Sequence, residues 1–131
     1  MKTKLEIYAL AVCFAAVISL TIALSIAGYS IIGIAAPEFA MSRYEYEKYQ
    51  SNDTFWINGY NGLGNHEEKD KERPGEEVLT KKRLENFAAA IKLEQRDGLQ
   101  SLIHSAIFIF TSAIVFLIHW KLYKNCLNNR A

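Results

Sequence analysis

The sequence has little cysteine, and two long stretches of it carry no charged side chain. Cys13 and Cys126 are the only cysteines in 131 residues, and neither lies in residues 38–97. This excludes the disulfide framework of small secreted domains, so the middle of the chain must be held by packing or by partners. A cluster of basic residues is also absent and the net charge is only +1, which argues against a nucleic-acid partner.

Residues 7–37 and 98–120 contain no aspartate, glutamate, lysine or arginine. About 20 apolar residues suffice for a helix to cross a hydrocarbon core of about 30 Å, so each stretch is long enough. Both stretches are apolar on every face, which is typical of membrane helices. The sequence therefore predicts an all-α membrane protein with an antiparallel hairpin of two transmembrane helices.

The first stretch has an alternative interpretation as a cleaved signal peptide. Lys2 and Lys4 form the basic start that such peptides have, and the small residues near Ala36 and Ala40 would offer a cleavage site. The apolar part of a signal peptide usually has about 7–15 residues, and this stretch is far longer. A transmembrane helix is therefore the preferred prediction.

Local signals between and around the two stretches give the predicted segments. Pro37 ends or bends the first helix, because it lacks an N–H and restricts the residue before it. Helix signals resume at Glu76 and continue into the second stretch, with Asp97-Gly98 as the one weak point, so the second span is predicted to extend outward as a long helix. The predicted order is a cytoplasmic tip (1–6), transmembrane helix 1 (7–36), an extracytoplasmic short helix and charged loop (37–75), an extracytoplasmic helix (76–98), transmembrane helix 2 (99–120) and a cytoplasmic tail (121–131).

The extracytoplasmic part is predicted to start with a short helix that is rich in aromatic residues. Ser42 is a suitable N-cap and Glu45 follows three residues later, so the helix should run from Arg43 to about Gln50. Glycines, asparagines and dense mixed charge in residues 58–75 predict a mobile loop.

The orientation follows from the basic residues beside the spans. The two tips carry one acid, Glu6, against five basic residues: Lys2, Lys4, Lys121, Lys124 and Arg130. Residues 38–97 have 10 basic and 13 acidic residues. Since basic residues favour the cytoplasmic face, both termini are predicted to be cytoplasmic, in the inner (plasma) membrane of the cell.

Small residues recur at every fourth position of the first span. They are Ala11, Ala15, Ser19, Ala23 and Ala27. This spacing lets two membrane helices approach closely, and it predicts a helix-packing interface. Two interpretations stay open: docking on another membrane protein or a second copy of the chain, and packing on the chain's own second span.

Aromatic residues of the extracytoplasmic part predict a second packing cluster. Its expected members are Tyr44, Tyr49, Phe55 and Trp56 on one side and Leu84, Phe87 and Ile91 on the other. Each such side chain contributes about 1.5–3 kcal/mol when fully buried, which is enough to order this region.

No residue pattern points to a catalytic, cofactor or metal site. His104 and His119 lie fifteen residues apart, about 22 Å along a helix, so one chain cannot hold a haem between them. The run His66-Glu67-Glu68 fits neither a zinc nor a calcium motif. The spans also lack the acidic or basic residues that ion-coupled transporters generally need. We therefore expect no catalytic residue, no cofactor and no metal, in a protein that is not an enzyme.

Several short runs resemble a known group of proteins. They are Ala36-Pro37-Glu38-Phe39, Tyr44-Glu45-Tyr46-Glu47 and Gln50-Ser51-Asn52-Asp53-Thr54-Phe55-Trp56. With the charged linker and second span that follow, the chain resembles uncharacterised bacterial two-span inner-membrane proteins. The resemblance implies a bacterial inner membrane and no particular activity.

The leading function hypothesis is a non-enzymatic accessory or interaction subunit that docks through its transmembrane helices. It rests on the lack of site chemistry in the sequence. The alternative is a homo-oligomeric pore or channel, which the few polar groups of the spans would have to line. The expected partners are the lipid bilayer and either another membrane protein or a second copy of the chain.

Overall fold

The computed structural model describes residues 4–60 and 72–129, and most of these residues are helical. In chain order the helices are α1 (Lys4–Ala35), α2 (Pro37–Ala40), α3 (Arg43–Lys48), α4 (Asn52–Phe55), a π-helical turn (Trp56–Tyr60) and α5 (Glu76–Asn128). These described residues contain no strand. The predicted all-α class is confirmed.

Two of the helices, α1 and α5, are long and apolar enough to cross a membrane. Their 32 and 53 residues correspond to lengths of about 48 and 80 Å, both above the thickness of the hydrocarbon core. Helix α5 passes through Asp97 and Gly98 without a break. The predicted outer helix and second span are therefore parts of one continuous helix.

Local sequence signals set the ends of the first helices. Helix α1 ends at Ala35, and Pro37 is the first residue of α2 after Ala36 leaves the helical conformation at φ −142° and ψ 67°. Helix α3 begins as predicted, because the Ser42 hydroxyl accepts a hydrogen bond of 3.2 Å from the N–H of Glu45. It ends at Lys48, two residues before the predicted end.

Helix α4 and the π-helical turn lie where the sequence predicted no helix. Ser51 and Thr54 form a capping box, in which each side-chain oxygen accepts from the other residue's N–H, at 3.1 and 3.2 Å. The prediction that a loop begins at Asn58 is wrong, since the π-helical turn extends to Tyr60. Gly59 fits there because a Cβ would lie 3.0 Å from the Phe55 ring. Residues 61–71 of the predicted loop lie outside the described residues.

The chain divides into two compact units, and each has its own buried residues. The terminal unit comprises Met1–Ile31 and Leu99–Ala131, and the middle unit comprises Ile32–Gly98. In the middle unit, Phe55 is 1% exposed and Leu79 is completely buried. The Tyr49 ring lies beside this core, 6.1 Å from the Phe55 ring and 5.4 Å from the Phe87 ring between centroids.

The structure places only part of the predicted outer packing cluster in this core. Tyr49, Phe55 and Phe87 come together, and Trp56 and Ile91 are half-buried. Tyr44 and Leu84 are exposed instead. On α5 the reason is helical phase: the face towards the core follows Leu79 and Phe87, and Leu84 lies further round the helix.

Candidate functional site

Small side chains bury one face of α1 in the terminal unit. Those at most 6% exposed are Ala9, Cys13, Ala16, Ala23 and Ser30; we term these five residues the seam. Half-buried Leu20 and Ala27 complete the face, so burial advances in alternating steps of three and four residues. Steps that average 3.5 residues are typical of two helices packed side by side. The small side chains allow a close approach.

Helix α5 supplies the other side of this contact. Its buried residues in the terminal unit are Ser105 and Ser112, seven residues apart. The Cys13 thiol donates to the carbonyl oxygen of Phe116 at 3.9 Å. The rings of Tyr8 and His119 lie 5.8 Å apart. These contacts join the first part of α1 to the later part of α5.

The predicted small-residue row follows a different line on α1 from the seam. Ala23 is buried and Ala27 half-buried, whereas Ala11, Ala15 and Ser19 are exposed. Each step of four residues carries the row about 40° further round the helix, because 3.6 residues make one turn. The predicted row therefore shares Ala23 with the seam, and its earlier members lie progressively further from the buried face of α1. Of the five residues predicted to form a helix-packing interface, only Ala23 and Ala27 lie on the face of α1 that packs on α5.

A groove of about 370 Å³ borders the seam. Its polar groups are the side chains of Ser19, Ser101, His104 and Ser105, and its apolar walls are Ile22, Ile26 and Phe108. Ser105 satisfies its own hydroxyl by donating to the carbonyl oxygen of Leu102 at 2.9 Å. The groove therefore combines apolar walls with few polar groups, which is the usual character of a ligand site.

The two histidines of α5 differ in their hydrogen bonding. His119 Nδ1 lies 2.8 Å from the carbonyl oxygen of Val115 in its own helix. His104 is exposed and has no hydrogen-bond partner in residues 4–60 and 72–129. An unsatisfied polar group costs several kcal/mol in hydrocarbon. Inside a membrane, a partner for His104 would thus have to come from beyond the described residues.

Aromatic and basic side chains gather near the end of α5. The Trp120 ring stacks on Phe116 at 5.9 Å and lies 5.7 Å from Tyr123. The Lys124 ammonium lies 5.8 Å from the centre of the Trp120 ring. Amphipathic rings beside lysine are typical of the boundary between membrane and water.

A polar network ties α4 to the first turns of α5 in the middle unit. Asn52 Nδ2 donates to the Glu76 carboxylate at 2.7 Å and to the Thr80 hydroxyl at 2.9 Å. The Arg73 guanidinium pairs with Asp53 at 2.7 Å and with Glu76 at 2.6 Å. The network fixes the place where the chain enters α5.

This network is expected to make the middle unit less stable in acid. The hydrogen bond from Asn52, followed by the charge of Arg73, outweighs burial and holds the pKa of Glu76 below its ordinary value of 4.5. A carboxyl whose pKa is lowered by folding stabilises the fold above its unfolded pKa, and that stabilisation is lost as the pH falls through the folded pKa. Denaturant midpoints at neutral pH and at about pH 3, followed by Trp56 fluorescence in a Trp120→Phe background, measure the effect.

The variant Glu76→Gln should show a smaller fall in midpoint between the two pH values. Glu77→Gln is the matched control, because Glu77 lies next to Glu76 and takes no part in the network. The same fall in both variants would show that Glu76 does not carry the acid sensitivity.

A second polar group of the middle unit is already satisfied within the chain. One carboxylate oxygen of Glu45 accepts from Lys48 Nζ at 3.0 Å and from the Tyr49 hydroxyl at 3.1 Å. Burial of Tyr49 raises its pKa, and the neighbouring lysine opposes this only in part. The group therefore links side chains three and four residues apart at the end of α3.

Among the described residues, no group of three or more histidine, cysteine, aspartate or glutamate side chains could hold a metal ion. His66, Glu67 and Glu68 lie outside those residues. In the comparisons with known proteins, no family model, curated protein or solved structure matches the chain. The resemblance to bacterial two-span inner-membrane proteins stays a prediction.

Proposed function

We propose that the chain is a non-enzymatic accessory or interaction subunit of a bacterial inner membrane, which docks on another membrane protein through α1. The exposure of Ala11, Ala15 and Ser19 carries the proposal. The seam occupies the face of α1 that α5 covers, and these three small residues lie outside that face. A second helix therefore has room to approach α1 closely along the exposed row.

In this proposal, α1 and the second half of α5 cross the membrane as an antiparallel hairpin. The order of the contacts, from Tyr8–His119 to Cys13–Phe116, supports that arrangement. The Trp120 and Lys124 side chains would then lie at the inner membrane boundary. The excess of basic residues at both tips supports cytoplasmic termini, and residues 38–97 would be extracytoplasmic.

Enlarging the exposed row is expected to release the partner. A leucine in place of Ala15 would hold the partner helix away from α1, and overpacking of this kind costs about 1–3 kcal/mol. That corresponds to a roughly 5- to 150-fold weaker complex. Gentle extraction from the native membrane, followed by mass determination, gives the fraction of chain that remains in a larger complex.

The control is Val17→Leu, which enlarges an exposed residue of the same helix outside the row. Equal recovery of the complex with Ala15→Leu and Val17→Leu would overturn docking through the row. Recovery of the wild-type chain as a symmetric homo-oligomer would favour the alternative, a pore. A liposome flux assay then decides between the two, since an accessory subunit alone should pass no ions.

A further inference from the structure

We propose that α2 rests on the extracytoplasmic surface of the membrane and inserts the ring of Phe39 among the lipid headgroups. The partner of this side chain is thus the bilayer itself. The inference rests on the membrane placement in the proposed function, and it does not depend on the protein partner of α1. Phe39 is 85% exposed, which is the largest exposed fraction among the large apolar side chains of the described residues.

The contacts of Gly33 fix the level of α2. A Cβ on Gly33 would lie 3.6 Å from the Cβ of Ala40 and 3.6 Å from the Cα of Gly98. All three residues belong to the middle unit, and Gly98 is the residue at which the uncharged stretch of α5 begins. The end of α2 therefore lies beside the point where α5 would enter the hydrocarbon core.

The polar residues that border the two uncharged stretches mark the same level. Glu38 is the first charged residue after the stretch in α1, and Asp97 is the last one before the stretch in α5. Gln95 Nε2 donates to the carbonyl oxygen of Ile34 at 3.3 Å, so this polar part of α5 lies beside the end of α1. Because charged side chains are costly inside a bilayer, the membrane boundary is expected at α2.

The direction of the Phe39 ring is set by the residues on either side of it. Pro37 and Met41 are buried, and the Met41 N–H donates to the Pro37 carbonyl oxygen at 3.0 Å. Two residues turn a helix by about 200°, so Phe39 projects from the opposite side of this single turn. The ring takes no part in the core around Phe55, and the proposal concerns the position of α2 rather than the folding of the middle unit.

Charged neighbours of the ring favour a lipid surface over a protein partner. Glu38 and Arg43 border the same shallow groove as Phe39, and the Arg43 side chain, which pairs with Glu47 at 2.6 Å, is 90% exposed. An apolar protein surface on Phe39 would have to cover these charges as well, which is costly. A headgroup layer solvates charges and accepts an apolar ring at the same depth. The ring should therefore lie at the boundary and no deeper.

Fluorescence quenching by brominated lipid tests the proposal on the full chain. Phe39→Trp, in a background of Trp56→Phe and Trp120→Phe, leaves one tryptophan, at α2. The protein is reconstituted into phosphatidylcholine vesicles whose acyl chains carry bromine either near the headgroup or near the chain end. Phe39→Trp should lose more of its fluorescence with bromine near the headgroup, because the ring lies at the boundary.

Two exposed positions on α5, placed in the same background, calibrate the depth. Phe108 lies ten residues after Gly98, about 15 Å along the helix, so Phe108→Trp should be quenched more by bromine near the chain end. Val78 lies twenty residues before Gly98, about 30 Å in the other direction. Val78→Trp should be quenched by neither lipid.

An unquenched Phe39→Trp beside a quenched Phe108→Trp overturns the proposal and leaves the membrane placement intact. Equal quenching of Phe39→Trp and Val78→Trp also overturns it, and so does a Phe39→Trp that is quenched most by bromine near the chain end. Absence of quenching in both Phe39→Trp and Phe108→Trp contradicts the membrane placement itself. Recovery of a partner polypeptide from the native membrane tests the accessory function alone, so the two proposals fail separately.

Discussion

Replacing Phe55 with alanine is expected to destabilise the middle unit so that it opens more often, while α1 and the second half of α5 remain helical. Phe55 is the largest fully buried side chain of that unit, and its ring contacts Tyr49 and the backbone at Gly59. A truncation of this size in a packed core costs about 3–5 kcal/mol. Domains are stable by only about 5–15 kcal/mol, and few other side chains of this unit are fully buried among the described residues.

Limited proteolysis in micelles measures the result, because cleavage within residues 43–56 and 76–97, which flank the predicted loop, reports opening of the middle unit. The control is Phe39→Ala, which removes the same ring where it is 85% exposed. A change at such a site is usually within about 0.5 kcal/mol. If Phe55→Ala resists the protease as well as Phe39→Ala does, the core at Phe55 and Leu79 does not hold the unit together.

The features that the sequence predicted correctly are those that depend on local chemistry. The length of an uncharged stretch is enough to predict α1 and the second half of α5. The missing N–H of Pro37 predicts an end or a bend of α1 at this point, and the structure shows an end at Ala35. The hydroxyl of Ser42 caps α3 by accepting from the N–H of Glu45, three residues later. The start of this helix could therefore also be predicted from adjacent residues in the sequence.

The features that the sequence did not predict depend on contacts between distant residues. Small residues occur both along the seam and along the predicted row, and composition alone does not show which face α5 covers. Leu79 and Leu84 are alike in sequence terms, yet only Leu79 faces the core. The sequence places Glu6 in the predicted cytoplasmic tip, yet Glu6 is only 1% exposed. It lies three residues before Ala9, and this spacing puts it on the same buried face of α1 as the seam.

A pattern of burial was nevertheless available in the sequence. Positions 9, 16, 23 and 30 of α1 hold three alanines and a serine, and positions 98, 105 and 112 of α5 hold a glycine and two serines. A search at seven-residue spacing, which keeps a packed helix on one face, finds both sets. The search at four-residue spacing finds a row that turns away from that face.

Substituting leucine at Ala16 is expected to loosen the packing of α1 on α5, whereas the same change at Ala15 should leave it intact. The two alanines are adjacent, but Ala16 belongs to the seam and Ala15 is exposed. Overpacking a buried contact costs about 1–3 kcal/mol. The buried thiol of Cys13 lies one turn away and reports the opening, because a membrane-permeant thiol reagent reaches it only when the helices separate.

In a Cys126→Ser background, the labelling rate of Cys13 should rise roughly 5- to 150-fold with Ala16→Leu and stay unchanged with Ala15→Leu. Equal rates in the two variants would show that the seam is not the surface on which α1 meets α5. The labelling rates of Ala15→Leu and Ala16→Leu, taken together with the recovery of the complex, distinguish packing of α1 on α5 from docking of α1 on a partner. A chain with Ala15→Leu should protect Cys13 and lose its partner, which is expected only if the docking row and the seam are different faces of α1.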